Sequence, residues 1–268
     1  MDTYLDRILD SHRERARADD RALDALIDAV ESQPETRGFS RVLLDGDDHQ
    51  LSVIAEIKRR SPSRGDLSAD LDPAAVAIEY VEGGAACLSV LTEFEHFGGS
   101  PNDLVSAWNA VPVPVLRKDF TVDARDVCDA RLMGADAVLL IVAALDEVQL
   151  ADFYALATEL GLDALVEVHD EAELERALAI GACLIGVNQR DLVTFEVDSN
   201  RALLMAPLMP DGVIRVAESG VRGVDDAQML FNAGYHALLV GESLVTAGNR
   251  AAAVRDLRKA AVTPENGG

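Results

Sequence analysis

The stretch Val53-Ile54-Ala55-Glu56-Ile57-Lys58-Arg59-Arg60-Ser61-Pro62-Ser63 decides how the chain folds. It opens as an apolar run and ends in a polar loop. The apolar residues fall on both parities of an extended chain, the pattern of a parallel strand covered on two faces. Seven more runs of this kind follow, at residues 86–91, 113–116, 137–142, 164–168, 184–187, 213–217 and 237–240. Charged stretches with helical apolar spacing lie between them, at residues 73–82, 124–133, 145–160, 171–180 and 224–232. Asp72 and Pro73 give the first of these a cap and a first-turn proline. Gly84-Ala85, Gly134-Ala135, Gly181-Ala182 and Gly234-Tyr235 stop four helices before the next strand, as a left-handed C-terminal cap requires.

Eight strand–helix units with right-handed crossovers form either an open doubly wound sheet or a closed barrel. Eight units in about 220 residues match the closed (β/α)8 TIM barrel of the α/β class. No Gly-x-Gly-x-x-Gly follows the first run, which counts against a dinucleotide-binding sheet. Ahead of the barrel, Tyr4, Leu5, Ile8, Leu9 and then Leu23, Leu26, Ile27, Val30 give two helical stripes. The chain therefore divides into a helical extension over residues 1–50, a barrel over 51–262 and a short tail over 263–268. Residues 45–50 read as a polar loop into the first strand.

The 268 residues are 49% hydrophobic and only 4% aromatic, so the core is aliphatic. The formal charge of −23 excludes the basic surface that nucleic acids and anionic membranes require. Acidic residues are spread along the whole chain, and lysine is depleted to three residues against 21 arginines. Such a surface suits a halophilic, high-salt cytoplasm, where screening cuts self-repulsion to a range of roughly 3 Å at 1 M. Cys87, Cys128 and Cys183 are odd in number and set among apolar residues, so buried reduced thiols are expected. The charged N-terminus lacks the apolar run of a signal peptide, and no segment reads as a membrane span. A cytoplasmic protein is expected.

Two of the three lysines close strands: Lys58 the first, Lys118 the third. An ammonium, unlike a guanidinium, can give up its proton near neutral pH and so serve as an acid or base. In a barrel of this kind the site is built at the C-terminal strand ends. Glu56 and Lys58 stand at the first end, on one parity with Ile54. Thr92 and Glu93 stand at the second, Lys118, Asp119 and Phe120 at the third, and Glu167 and His169 at the fifth. Asn188 and Arg190 stand at the sixth, Glu218, Ser219 and Gly220 at the seventh, and Gly241, Glu242 and Ser243 at the eighth. The opposite ends carry mostly Gly, Ala, Pro and short polar turns. A Glu56–Lys58 ion pair alone reads equally as structural. Joined by Lys118, Glu167, Asn188 and Arg190 at equivalent ends, it reads as a functional site. The small loops after strands seven and eight suit a phosphate, held by backbone N–H groups, with Lys58 and Arg190 as the candidate cations.

These residues, in this order, resemble the indole-3-glycerol phosphate synthases of tryptophan biosynthesis. The resemblance rests on Ile54-Ala55-Glu56-Ile57-Lys58-Arg59-Arg60-Ser61-Pro62-Ser63, on Leu116-Arg117-Lys118-Asp119-Phe120, on Leu165-Val166-Glu167-Val168-His169 and on Gly186-Val187-Asn188-Gln189-Arg190-Asp191-Leu192. Val216-Ala217-Glu218-Ser219-Gly220 and Leu239-Val240-Gly241-Glu242-Ser243-Leu244 complete it. It covers about residues 40–260, and six short motifs in register are specific together where each alone is not. It implies conversion of 1-(2-carboxyphenylamino)-1-deoxyribulose 5-phosphate to indole-3-glycerol phosphate, CO2 and water, with no cofactor and no metal.

Ring closure puts negative charge on a ketone oxygen, which a positioned ammonium should protonate; Lys118 is assigned that role. The resemblance suggests Lys58 as a second acid for dehydration. Glu56 and Glu167 then orient the lysines, accept the ring proton or shuttle protons, and which does which stays open. Asn188 and Arg190 fit polar support of the substrate. Ser219, Gly220, Gly241 and the backbone of Glu242 fit the phosphate. Ser61 and Ser63 sit in a loop suited to the anthranilate carboxylate or to closure over it. Phe97, Phe120 and Leu140 are candidates to wall the aromatic ring, with Phe97 and Leu140 equally suited to the core. Gln189 and Gly98 depart from the family pattern, and the parity of Gln189 points it away from the mouth.

The five histidines lack ligand spacing, and His169 is expected to be structural or peripheral. A phosphoribosylanthranilate isomerase would need a Cys/Asp pair, and no Cys closes the first strand. A silent sensor barrel should have lost one of Glu56, Lys58, Lys118 or Glu167. The expected partner is thus a phosphorylated small molecule, met by a monomer rather than an obligate oligomer.

Overall fold

In a computed structural model, which describes residues 4–45, 50–62, 64–191 and 193–259, eight parallel strands close on themselves. They are β1 (Ser52–Ile57), β2 (Cys87–Leu91), β3 (Val115–Lys118), β4 (Ala137–Ile141), β5 (Asp163–Val168), β6 (Leu184–Asn188), β7 (Ile214–Glu218) and β8 (Ala237–Val240). Each pairs with its neighbours in sequence, and β1 closes the ring on β8 with Ile54 opposite Leu239. The strands are buried almost throughout, as runs apolar on both parities demand.

The expected helices appear as α4 (Pro73–Glu82), α6 (Ala124–Leu132), α7 (Glu147–Glu159), α8 (Glu171–Ala179) and α10 (Val224–Asn232). Asp72 caps α4 by accepting the Ala74 N–H. The glycine after α4 is left-handed as the sequence required (Gly84, φ 91°). The loop after β8 opens the short helix α11 (Glu242–Val245), as Gly241-Glu242-Ser243 allows, and further helices escaped the sequence reading: α5 (Pro101–Ala110), α9 (Asn200–Met205) and α12 (Arg250–Arg258). They are short, or offer few buried positions, such as Val254 and Leu257 in α12. Two strands also lie later than expected. Pro114 cannot donate to a ladder, so β3 begins at Val115 and keeps Lys118 as its last residue; β7 likewise runs on to Glu218.

Among the described residues the extension holds three helices rather than two: α1 (Tyr4–Ala18), α2 (Leu23–Val30) and α3 (Phe39–Leu44). It passes from one end of the barrel to the other. At the C-terminal mouth, the Tyr4 ring meets His96 and Phe195, and His12 meets Phe120. The chain then runs down beside α6, where Arg21 pairs with Asp129. At the lower rim it is locked. Buried Asp136 accepts the N–H groups of Arg37 (2.7 Å) and Val115 (2.8 Å). The Arg37 guanidinium donates to the carbonyls of Val111, Val113 and Trp108 and stacks 3.9 Å over the Trp108 ring. Phe39, fully buried, helps close this end.

Cys87 and Cys128 are buried as expected, but Cys183 is exposed. The turn that enters β6 at the lower rim leaves it at the surface, 3.8 Å from the Tyr154 hydroxyl. Among the described residues no helix is long and apolar enough to cross a membrane. The expected tail at 263–268 and most of the 45–50 loop lie outside the described residues.

Arg37→Ala leaves three carbonyls without their charged donor and should cost about 2 kcal/mol of stability. A urea melt checks this; an unchanged midpoint would mean that the lower lock contributes nothing.

Candidate active site

The C-terminal strand ends surround one cavity of about 630 Å³, a volume suited to a small ligand. Glu56, Lys58, Ser61, Phe97, Lys118, Phe120, Glu167, Asn188, Arg190, Ser219, Gly220, Gly241 and Glu242 all line it. Ser63 lies outside the described residues. Leu140 does not belong to the lining. It is fully buried, while its neighbours Leu139 and Ile141 face the cavity. Alternation decides this: residues 139 and 141 point inward, so 140 points into the helical layer.

The floor of the cavity is a cluster of charges. Lys118 Nζ lies 2.9 Å from Glu167 Oε2 and 3.2 Å from Glu218 Oε2. Lys58 Nζ lies 2.6 Å from Glu56 Oε1. Glu56, Glu167 and Glu218 are 4%, 1% and 1% exposed, so their charges survive only by pairing. Asn188 Nδ2 donates to Glu167 Oε1 at 2.9 Å and Asn188 Oδ1 accepts the Arg190 N–H. Tyr80 donates from the helical layer to the Glu56 carbonyl.

These contacts set the protonation states. Burial works against charge on Lys118, but Glu167, Glu218 and Glu56 outweigh it and raise its pKa above the ordinary lysine range. The ammonium is therefore held more firmly than the sequence suggested. In the resting site it is an acid and not a base. Burial also opposes charge on Glu167, yet Lys118, His169 and Asn188 hold this carboxyl far below its usual range. Glu218 goes the other way. Burial raises it, and Lys118 only partly counters this, so it titrates at about 7. Two ammoniums and three carboxyls approach balance when Glu218 keeps its proton.

Glu218 stood at a strand end in the sequence without a role. The signal was available: Ile214, Val216 and Glu218 share a parity, and β7 runs one residue further than its apolar run. Gly186 makes room for it, since a Cβ there would collide with Glu218 Oε1. Arg64 belongs to the loop expected at the first strand end, whereas Phe195 and Arg222 gave no signal. Phe195, with φ 61°, reaches the cavity from the loop after β6. Arg64 and Arg222 reach it from loops after β1 and β7.

The upper wall suits an anion. Ser219 and Gly220 are consecutive left-handed residues, φ 65° and 76°, the type of backbone that turns N–H groups to one point. A Cβ on Gly241 would meet Glu56 and stand 2.9 Å from Lys58 Nζ, so Gly241 backbone and ammonium share one corner. Glu242 turns its carboxylate to Arg64 at 3.0 Å. Gln189 faces away, as its parity predicted, and donates to the Ser219 carbonyl at 2.7 Å. Arg190 lines the cavity while one of its guanidinium nitrogens bonds the Phe195 carbonyl.

Histidine spacing pointed to no metal site. The fold brings Glu93, Glu95 and His96 within 4.8 Å of one another. The Glu93 carboxylate there already accepts the N–H groups of Glu95, His96 and Phe97, so its oxygens organise the loop after β2. His169 does not line the cavity; it stands behind Glu167.

A (β/α)8 barrel with ammoniums paired to buried carboxyls at its mouth, beside a corner of small residues, has the layout of a barrel enzyme acting on a small phosphorylated substrate. The family model described as Indole-3-glycerol phosphate synthase matches residues 5–257, and the chain belongs to that family. The indole-3-glycerol phosphate synthase of Parafrankia sp. is 50% identical over 262 residues, covering 97% of both chains. That of Mycobacteroides abscessus is 47% identical over 268 residues, covering 98% of this chain and 96% of its own. Among solved structures, a 3-hexulose-6-phosphate synthase (TM-score 0.62, 17% identity, covering 79% of this chain and all of its own) shares the fold. So does the thiamine phosphate pyrophosphorylase of Pyrococcus furiosus (TM-score 0.60, 17% identity, covering 78% and 95%).

Glu218 should carry its proton in acid and lose it at about 7. The sign is that of a raised pKa: the protonated form predominates below this value. Difference infrared spectroscopy across that range should show a carboxylic-acid band disappearing, and Glu218→Gln should remove the change. A band that persists in the variant belongs to another group.

Proposed function

We propose that the chain closes the indole ring, converting 1-(2-carboxyphenylamino)-1-deoxyribulose 5-phosphate to indole-3-glycerol phosphate, CO2 and water. Family membership supports the reaction. The observation that carries the mechanism is the Lys118 ammonium between Glu167 and Glu218 on the cavity floor.

As the aryl carbon attacks the ketone, its oxygen becomes an alkoxide, a far stronger base than any carboxylate nearby. The proton on Lys118 moves to it even from a stabilised ammonium. Decarboxylation then follows from the charge left on the ring. Glu167, relieved of its ammonium partner, becomes basic enough to accept the remaining proton. Lys58, beside the Gly241 backbone, suits both the phosphate and a second protonation, that of the departing hydroxyl. Ser219 and Gly220 complete the phosphate corner. Phe97 and Phe120 wall the aromatic ring together with Leu139 and Ile141. Ser61 faces the same space, suited to the anthranilate carboxylate.

The charge of −23 and the three-lysine composition support a home in a salt-rich cytoplasm.

Lys118→Ala should lower turnover about 100-fold or more while ligand binding persists, because it removes a general acid. Lys118→Arg should fail as well, since a guanidinium is a poor proton donor. Fluorescence of the indole product reads both. Product at the unaltered rate from either variant would remove Lys118 from this role.

A further inference from the structure

His169 is the group at this site that the chemistry above leaves unused. It stands just past the end of β5, outside the cavity wall, with its side chain 11% exposed. Its Nε2 lies 3.3 Å from Glu167 Oε1, an ion-pair distance without hydrogen-bond alignment. Its Nδ1 lies 3.0 Å from Glu173 Oε2. Glu173 is fixed in turn. The same oxygen accepts the His169 backbone N–H at 2.8 Å, and the Glu173 N–H donates to the cap residue Asp170. A continuous row thus runs from the first turn of α8 through Glu173, His169 and Glu167 to Lys118. The charged groups facing the ring are Glu167 from β5 and Glu173 from α8. Arg176, one turn further along α8, is spent on the carbonyls of Val142 and Leu145.

A ring whose Nδ1 bonds one carboxylate and whose Nε2 lies at ion-pair distance from another is placed to carry two protons. We propose that His169 works as an imidazolium that acts through Glu167, keeping this carboxylate charged and in place while Lys118 is without its proton. The proposal rests on the acid role given to Lys118. When the Nζ–H bond breaks and the proton passes to the substrate oxygen, the electron pair stays on Nζ and the ammonium charge is gone. Glu167, 1% exposed, would then hold a buried charge with only the Asn188 amide for support, a costly state. It would take up a proton from another source before the ring proton becomes available. A second cation behind it prevents that loss and holds the free oxygen toward the cavity. His169 is thus a positioning residue, and Lys118 remains the group that touches substrate.

The titration behaviour agrees. Burial opposes charge on the ring, but Glu167 and Glu173 outweigh it and raise His169 to about 9. The imidazolium is therefore present at neutral pH and lost as pH rises through that value.

The test has two parts on the full-length protein. First, NMR titration of the histidine ring signals in the unaltered enzyme, assigned by loss in His169→Gln, should show His169 titrating near 9. Titration at or below the ordinary histidine value overturns the proposal, and this holds even if the variant folds poorly. Second, in His169→Gln, kcat should fall about tenfold or more with KM within about twofold, and the acid limb of the kcat profile should move to higher pH. In Glu173→Gln the alkaline limb should move to lower pH, because the imidazolium loses one partner. A residue that merely packs would lower the melting temperature and leave both limbs in place, and that outcome overturns the proposal. Failure of the unaltered enzyme to form the indole product would instead overturn the proposed function, so the two failures are told apart.

Discussion

One ammonium, Lys118, held between Glu167 and Glu218 at the floor of a closed barrel, is the constraint around which the rest of the site is arranged. A buried amine alone would lose its proton. A buried carboxylate alone would gain one. Placed 2.9 and 3.2 Å apart they hold each other charged, at a desolvation cost that only the stability of the scaffold can offset. The arrangement demands closure of the sheet, because the three residues come from β3, β5 and β7. Strands that do not neighbour one another can converge on a point only when the sheet is rolled into a ring.

Small residues make the convergence sterically feasible. Gly186 on β6 leaves the space that Glu218 occupies, and Gly241 after β8 lets Glu56 and Lys58 approach the backbone there. The helical extension bears on the same region from outside. It is bolted to the lower rim through Arg37 and Asp136 and lays α1 across the mouth. There His12 approaches Asp119 at 3.9 Å, next in sequence to Lys118.

Much of this was legible in the sequence. Runs apolar on both parities gave the eight strands, and the glycines after the helices marked where each unit ends. Parity along the first strand put Glu56 and Lys58 on one side, as the structure does. The failures have physical causes. Leu140 suits the wall and the core equally by its apolar character, and alternation decides for the core by turning Leu139 and Ile141 inward instead. Glu218 was overlooked as a partner of Lys118 because a carboxylate ends the apolar run by which β7 was recognised. The exposure of Cys183 depends on the direction of a turn, and Arg64, Phe195 and Arg222 enter the cavity from loops whose path no periodicity encodes. The ammonium's raised pKa is a property of the assembled cage and of no local stretch.

The composition makes the central claim directly measurable. The chain has three lysines, Lys58, Lys118 and Lys259, so lysine labelled with nitrogen at Nζ gives three side-chain signals, and Lys118→Arg assigns one. Followed by NMR as pH rises, the Lys118 signal should remain that of an ammonium beyond the ordinary lysine value of 10.5. Loss of its proton near neutrality would show that the carboxylates do not cage it, and would contradict the account at its base.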